Sequence, residues 1–188
     1  MALENLLARL RALAFVVGME ETAFRVSTAA SIRVLAAMKR RIFTDGIATD
    51  GSQIGQYSTN SFYQNPNKLL GVSIAGLKPE GKNGNAVFKN GKPHKTKYLA
   101  LGYQQLREAA GRQSDYVDLN FSGSMSGALQ FGARGNVSVI GFINEEAAQI
   151  MADNEERFGK EIVTPTEEER LAGSKAARVE LEVILSNI

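Results

Sequence analysis

Residues 19–43 carry a single helical pattern, and it constrains the fold more than any other feature. Phe24, Ala30, Val34, Ala37, Met38 and Ile42 recur near the i, i+3, i+4, i+7 spacing of one helix face. Gly18 precedes the segment, and Asp45-Gly46 stops it. Lys39, Arg40 and Arg41 fall in the last turns, where cations complement the helix dipole. A helix of this length with one apolar stripe needs a second layer to cover it.

The chain ahead of this helix has two readings. Ala12 to Gly18 is apolar and follows Arg9 and Arg11, as in a targeting segment. Glu4 lies ahead of it, however, and Leu3, Leu6, Leu7 and Leu10 are spaced as on a helix. An amphipathic helix over about 2–17 is the reading adopted. No stretch approaches the roughly 18 uninterrupted apolar residues of a membrane span, so no membrane role is expected.

Residues 44–97 are rich in turn signals: Asp50-Gly51, Asn83-Gly84 and Asn90-Gly91. The apolar runs Leu70–Ile74 and Ala86–Phe88 predict a hairpin within a long loop. Tyr98–Ala110 reads as a helix ended by Gly111. Three strands are expected next, over Tyr116–Phe121, Met125–Phe131 and Asn136–Phe142, with a turn at Gly132–Gly135. In the first, Val117, Leu119 and Phe121 alternate with Asp118 and Asn120. Asn144 is placed to cap a helix running to about Arg157, with Gly159 at its C-terminal end. Thr166 and Glu169 predict a capping box opening a short acidic helix, and Lys175–Leu185 a helical tail.

The expected fold class is therefore α+β. Long N-terminal helices (1–43) pack on a small antiparallel sheet, followed by a basic loop or hairpin insert (44–97). A helix, sheet and helix core (98–160) and a helical tail (161–188) complete one domain, 1–188.

The chemistry of the side chains argues against an enzyme. There is no cysteine, which removes thiolate metal sites and a cysteine nucleophile. The one histidine, His94, lies in a Gly/Lys/Pro-rich loop, so a Ser-His-Asp triad would depend wholly on it. Gly81-Lys82-Asn83-Gly84 lacks the strand, the helix and the Gly-Lys-Ser/Thr ending of a phosphate loop. No catalytic residue, cofactor or metal is expected.

Charge is more informative in its placement than in its total of +2. Residues 64–115 hold nine Lys/Arg against three acids, and residues 144–170 hold nine acids against three bases. Two readings stay open: solvated faces, or complementary patches on neighbouring copies that meet head to tail. On the second reading the interface residues are Lys82, Lys89, Lys92, Lys95 and Lys97 on one side. Glu155, Glu156, Glu167, Glu168 and Glu169 form the other.

Three blocks resemble phage tail-completion and virion-morphogenesis proteins. The first is Arg41 to Thr59, an Arg-aliphatic-Phe helix end followed by an Asp-Gly loop. The second is Tyr103 to Gly123, where Leu106-Arg107 and Gly111-Arg112-Gln113-Ser114 precede a segment ending in Ser122-Gly123, with Met125 beyond. The third is Asn144 to Glu169, a helix, Phe158-Gly159 and an acidic helix opened by Thr166. The basic insert at 64–97 departs from the compact members of that family. The resemblance implies a structural subunit that forms a ring with copies of itself in the neck of a tailed-phage virion, joining head to tail. It also implies assembly in the host cytoplasm, with portal, neck or tail proteins as neighbours and genomic DNA passing through a channel. The alternatives are another capsid- or tail-associated role, or a nucleic-acid-binding module using residues 78–97.

Overall fold

A computed structural model describes residues 18–66, 77–134 and 137–187, together with Arg11 and Phe15. The protein is α+β, with five helices and two small antiparallel sheets among the described residues. The helix expected over 2–17 and the run Leu70–Ile74 lie outside these residues, except for Arg11 and Phe15.

Helix α1, Glu20–Phe43, matches the long sequence pattern. Its first turn carries Glu20 and Glu21 and its last turn Arg40 and Arg41, in keeping with the helix dipole. The chain leaves it through Thr44 and Asp45, whose N–H groups both bond the Arg40 carbonyl. Gly46 follows at φ +65°. A Cβ there would lie 2.4 Å from the Tyr116 ring and 2.6 Å from the Val117 carbonyl, so this turn requires glycine.

Strands β1 (Phe62–Gln64) and β2 (Lys97–Leu99) pair antiparallel, Phe62 opposite Leu99. Helix α2 follows at Gly102–Ala109. A five-residue helix, α3 (Ser124–Ala128), then leads into the hairpin of β3 (Leu129–Arg134) and β4 (Val137–Phe142). Helix α4 (Glu145–Phe158) and helix α5 (Glu167–Ser186) complete the chain.

Helices α1 and α5 run antiparallel in contact, with Gly173 admitting Val34 and Ala30 of α1 to close range. The β3–β4 hairpin packs on α1, and α4 contacts β4. The core between them is built from Met38, Ile42, Phe43, Ala48, Ile54, Val117, Leu129, Met151 and Ile162. Each large member contributes about 1.5–3 kcal/mol by leaving water.

Several expectations need correction. Tyr116–Phe121 is not a strand: Val117 and Asp118 are both buried, and Leu119 sits at φ +51°, which breaks the alternation. Side chains hold this segment, with the Tyr116 hydroxyl on the Thr44 carbonyl (2.9 Å) and the Asn120 amide on the Phe43 carbonyl (3.3 Å). Residues 124–128 are helical, so the strand expected from Met125 begins at Leu129. Gly132 belongs to β3, opposite Val139, and Arg134 pairs with Val137, so residues 132–134 are strand rather than turn. The acidic helix and the tail are one helix, because nothing between Arg170 and Lys175 interrupts it and Gly173 is enclosed by α1.

Tyr98 and Leu99 belong to β2 rather than to the following helix. Ala86–Phe88 pairs locally, through a Val87–Pro93 bridge.

Candidate functional site

Two arginines organise the interior. Arg107 comes from the buried face of α2 and is 1% exposed. Its Nη2 donates to both carboxylate oxygens of Asp118 (2.8 and 3.0 Å) and to the Asn120 carbonyl (3.2 Å). Its Nε donates to the Gln113 carbonyl at 2.5 Å. The guanidinium carbon lies 4.3 Å from the Tyr57 ring centroid, in cation–π range. The Tyr57 hydroxyl donates to Asp118 Oδ1 (2.8 Å) and accepts from the Asp118 N–H (3.1 Å). Burial, and then the hydrogen bond to Asp118, push the Tyr57 phenol well above its usual pKa. Burial also raises Tyr103, whose ring packs 5.3 Å from Tyr57.

Arg41 plays the same part at the end of α1. Its Nε donates to Glu169 Oε1 (2.8 Å), and its Nη atoms donate to the carbonyls of Ile47, Ile162 and Thr164 (3.0–3.1 Å). Glu169 in turn accepts from the Thr166 N–H (2.7 Å), completing the capping box of α5. The three sequence blocks are thus interlocked: Arg41 of the first meets Glu169 of the third, and Tyr57 of the first meets Asp118 of the second.

Beside the Arg107 cluster lies a cleft of about 440 Å³ between α2, the 117–125 segment and α4. Tyr103, Leu119, Phe121, Met125, Ile150 and Phe158 give it apolar walls, and Ser58, Ser122, Ser124, Asn154 and Arg157 a polar fringe. Arg157 stands over its own Phe158 ring at 5.3 Å.

The proposed interface residues divide by environment. Lys82, Lys89, Lys92 and Lys95 are exposed on a folded-back loop over 81–95. Lys97 sits in β2, ion-paired with Glu80. On the acidic side, Glu156, Glu167 and Glu168 are exposed. Glu155 is half-buried and accepts from the N–H groups of Ile162 (2.6 Å) and Val163 (3.1 Å). Glu169 is buried against Arg41. Lys97, Glu155 and Glu169 therefore hold this chain together, and the other seven face solvent. His94 stacks on Phe88, with ring centroids 3.7 Å apart.

Sequence reasoning counted Arg107 among surface cations and Arg41 as a dipole complement, and missed both as hubs. Tyr103, Leu106, Arg107 and Ala110 share one helix face, which would have placed Arg107 inside. Asp118, flanked by Val117 and Leu119, similarly called for a buried partner. No described helix is long and apolar enough to cross a membrane. No family model, curated protein or solved structure matches the chain.

Proposed function

We propose that this chain is a structural subunit of a tailed-phage virion, assembling with copies of itself into a ring in the neck or tail-completion region and joining head to tail. One observation carries the reading: large apolar side chains stand in solvent along regular elements. Val137 and Val139 project from β4, with Ile143 just beyond at 65% exposure. Phe24 and Ile32 stand out from α1, and Leu171, Val179 and Val183 from α5. On α5, Leu171, Ala172, Ala176 and Val179 line one shallow groove, and contiguous apolar surface of this kind marks contacts with other polypeptides. Among the described residues the β3–β4 sheet has two strands, and neither outer edge is paired with another described strand, which leaves both open to strand addition. A ring covers such faces with the next copy. The segregation of exposed lysines on 81–95 from exposed acids on α4 and α5 supports a head-to-tail arrangement, since unlike patches set register. The ordered resemblance of the three blocks supplies the virion context.

Size-exclusion chromatography with light scattering, with and without a portal or tail partner, tests the reading. The expected result is a closed oligomer of defined mass, alone or on the partner. A nucleic-acid module is the second reading, favoured by exposed lysines around Phe88. A chain that stays monomeric with every partner and binds DNA with steep salt dependence would replace the first reading with the second.

A further inference from the structure

Residues 81–95 form a finger that carries an exposed apolar pair, Val87 and Phe88, next to its turn. The Phe88 N–H donates to the Lys92 carbonyl (2.8 Å), and the His94 N–H to the Ala86 carbonyl (2.9 Å). The turn at Asn90-Gly91 is closed by the Gly91 N–H on the Phe88 carbonyl (2.8 Å), with Gly91 at φ +78°. His94 stacks on one face of Phe88 and fixes the ring, yet Phe88 remains 50% exposed and Val87 51%. An aromatic held in place while half in solvent is an anchor with little ordering entropy left to lose on binding. The finger also carries the exposed Lys82, Lys89, Lys92 and Lys95, and it contains no acid. None of the four lysines forms an ion pair among the described residues.

The cleft beside α4 is lined by apolar side chains together with Arg107, which is paired with Asp118, and Arg157. Its volume of about 440 Å³ accommodates an aromatic side chain. Helix α4 carries five acids against the single Arg157. Glu146 and Asp153 lie on the same helical stripe as the cleft residues Ile150 and Arg157, at i, i+4, i+7 and i+11. Helical spacing thus sets the exposed Glu146 and Asp153 along the rim of the cleft rather than in its lining.

We propose that the finger of one copy docks Phe88 in the α2–α4 cleft of the next copy, with the finger lysines facing the α4 acids. This rests on the self-assembly reading above and specifies the surfaces that meet. Finger and cleft are different patches, so the contact is heterologous, the kind that propagates into a ring when its rotation closes.

The absence of native cysteine makes the test clean. Val87→Cys and Ile150→Cys, both at exposed positions, are made singly in the full chain, mixed, and treated with a short bismaleimide linker. A linked heterodimer is expected, and the double variant is expected to give a ladder of linked oligomers. Phe88→Asp, read by light scattering with circular dichroism as the folding control, is expected to raise the assembly midpoint concentration by about tenfold or more. Assembly with no intermolecular linkage, and a Phe88→Asp chain that assembles like the parent, would overturn the docking and leave self-assembly standing. A parent chain that never assembles overturns both.

Discussion

Arg107 and Asp118 form an ion pair with almost no contact with water, at side-chain exposures of 1% and 8%. A pair this deep does not stabilise much over an apolar substitute, but losing one member leaves an uncompensated charge inside. Asp118→Ala is therefore expected to cost about 3–5 kcal/mol, against less than about 0.5 kcal/mol for the exposed Lys89→Ala. Urea denaturation of the two variants checks this, and an Asp118→Ala loss no larger than that of Lys89→Ala would refute the hub. Tyr57 adds a pH signature. Its folded-state pKa is raised above the ordinary value of 10.0, as is that of Tyr103, with burial the leading cause for both. The unfolded chain therefore gives up these protons first, so their contribution is complete below pH 10 and declines as pH rises toward the folded values. Tyr57→Phe loses about 1 kcal/mol at neutral pH with the hydrogen bond to Asp118, and its stability declines less steeply above pH 10. Denaturant titrations between about pH 8 and 11 measure both effects.

Elements whose ends are written in local chemistry were legible in the sequence. Asn144 accepts from the Ala147 N–H at 2.8 Å, Gly159 closes α4 at φ +61°, and Thr166 and Glu169 form the capping box of α5. Thr166→Ala is expected to cost about 1 kcal/mol, seen as a lower thermal midpoint with unchanged helix content in the folded state. The same locality explains the misses. The alternation of Tyr116–Phe121 satisfies a strand pattern, but its backbone pairs with no strand among the described residues. The Val117 N–H bonds the Gly55 carbonyl instead, and Asp118 is drawn toward Arg107. Gly55 is far from Val117 along the chain, and Asp118 finds Arg107 on the preceding helix rather than at a strand partner, so the local alternation is misleading. The cleft was illegible for the same reason, since its walls come from residues near 57, 103, 121 and 157. Gly102 is a sharper case. It lies at φ +59°, and a Cβ would stand 2.4 Å from the Asn60 carbonyl oxygen, so it fixes how β1 approaches α2. Gly102→Ala combines positive-φ strain with a backbone collision, and a loss of about 1–3 kcal/mol is expected in the same denaturation assay.

At the scale of the whole molecule, the internal ion pairs and the exposed charges have separate roles. Arg41–Glu169 and Arg25–Glu180 tie α1 to α5 near opposite ends of α5, at 2.8 and 2.6 Å. Lys82, Lys89, Lys92 and Lys95 of the finger and the α4 acids Glu145, Glu146, Asp153 and Glu156 face solvent, whereas Glu155 is turned inward. If their separation serves assembly, reversing one side should weaken it and reversing both should restore it. Lys89→Glu, Lys92→Glu and Lys95→Glu together are expected to raise the assembly midpoint and to invert its response to salt, because screening then relieves repulsion instead of weakening attraction. Adding Glu146→Lys, Asp153→Lys and Glu156→Lys to the same chain re-creates opposite charges across the contact and is expected to recover assembly. Sedimentation at several salt concentrations reads all three chains. Restoration by the double set distinguishes pairing across an interface from a general effect of net charge, since the combined variant returns to the parent's +2. If the lysine reversals leave assembly and its salt dependence unchanged, the finger does not lie in the contact, and the exposed apolar faces of α5 and β4 become the surfaces to test.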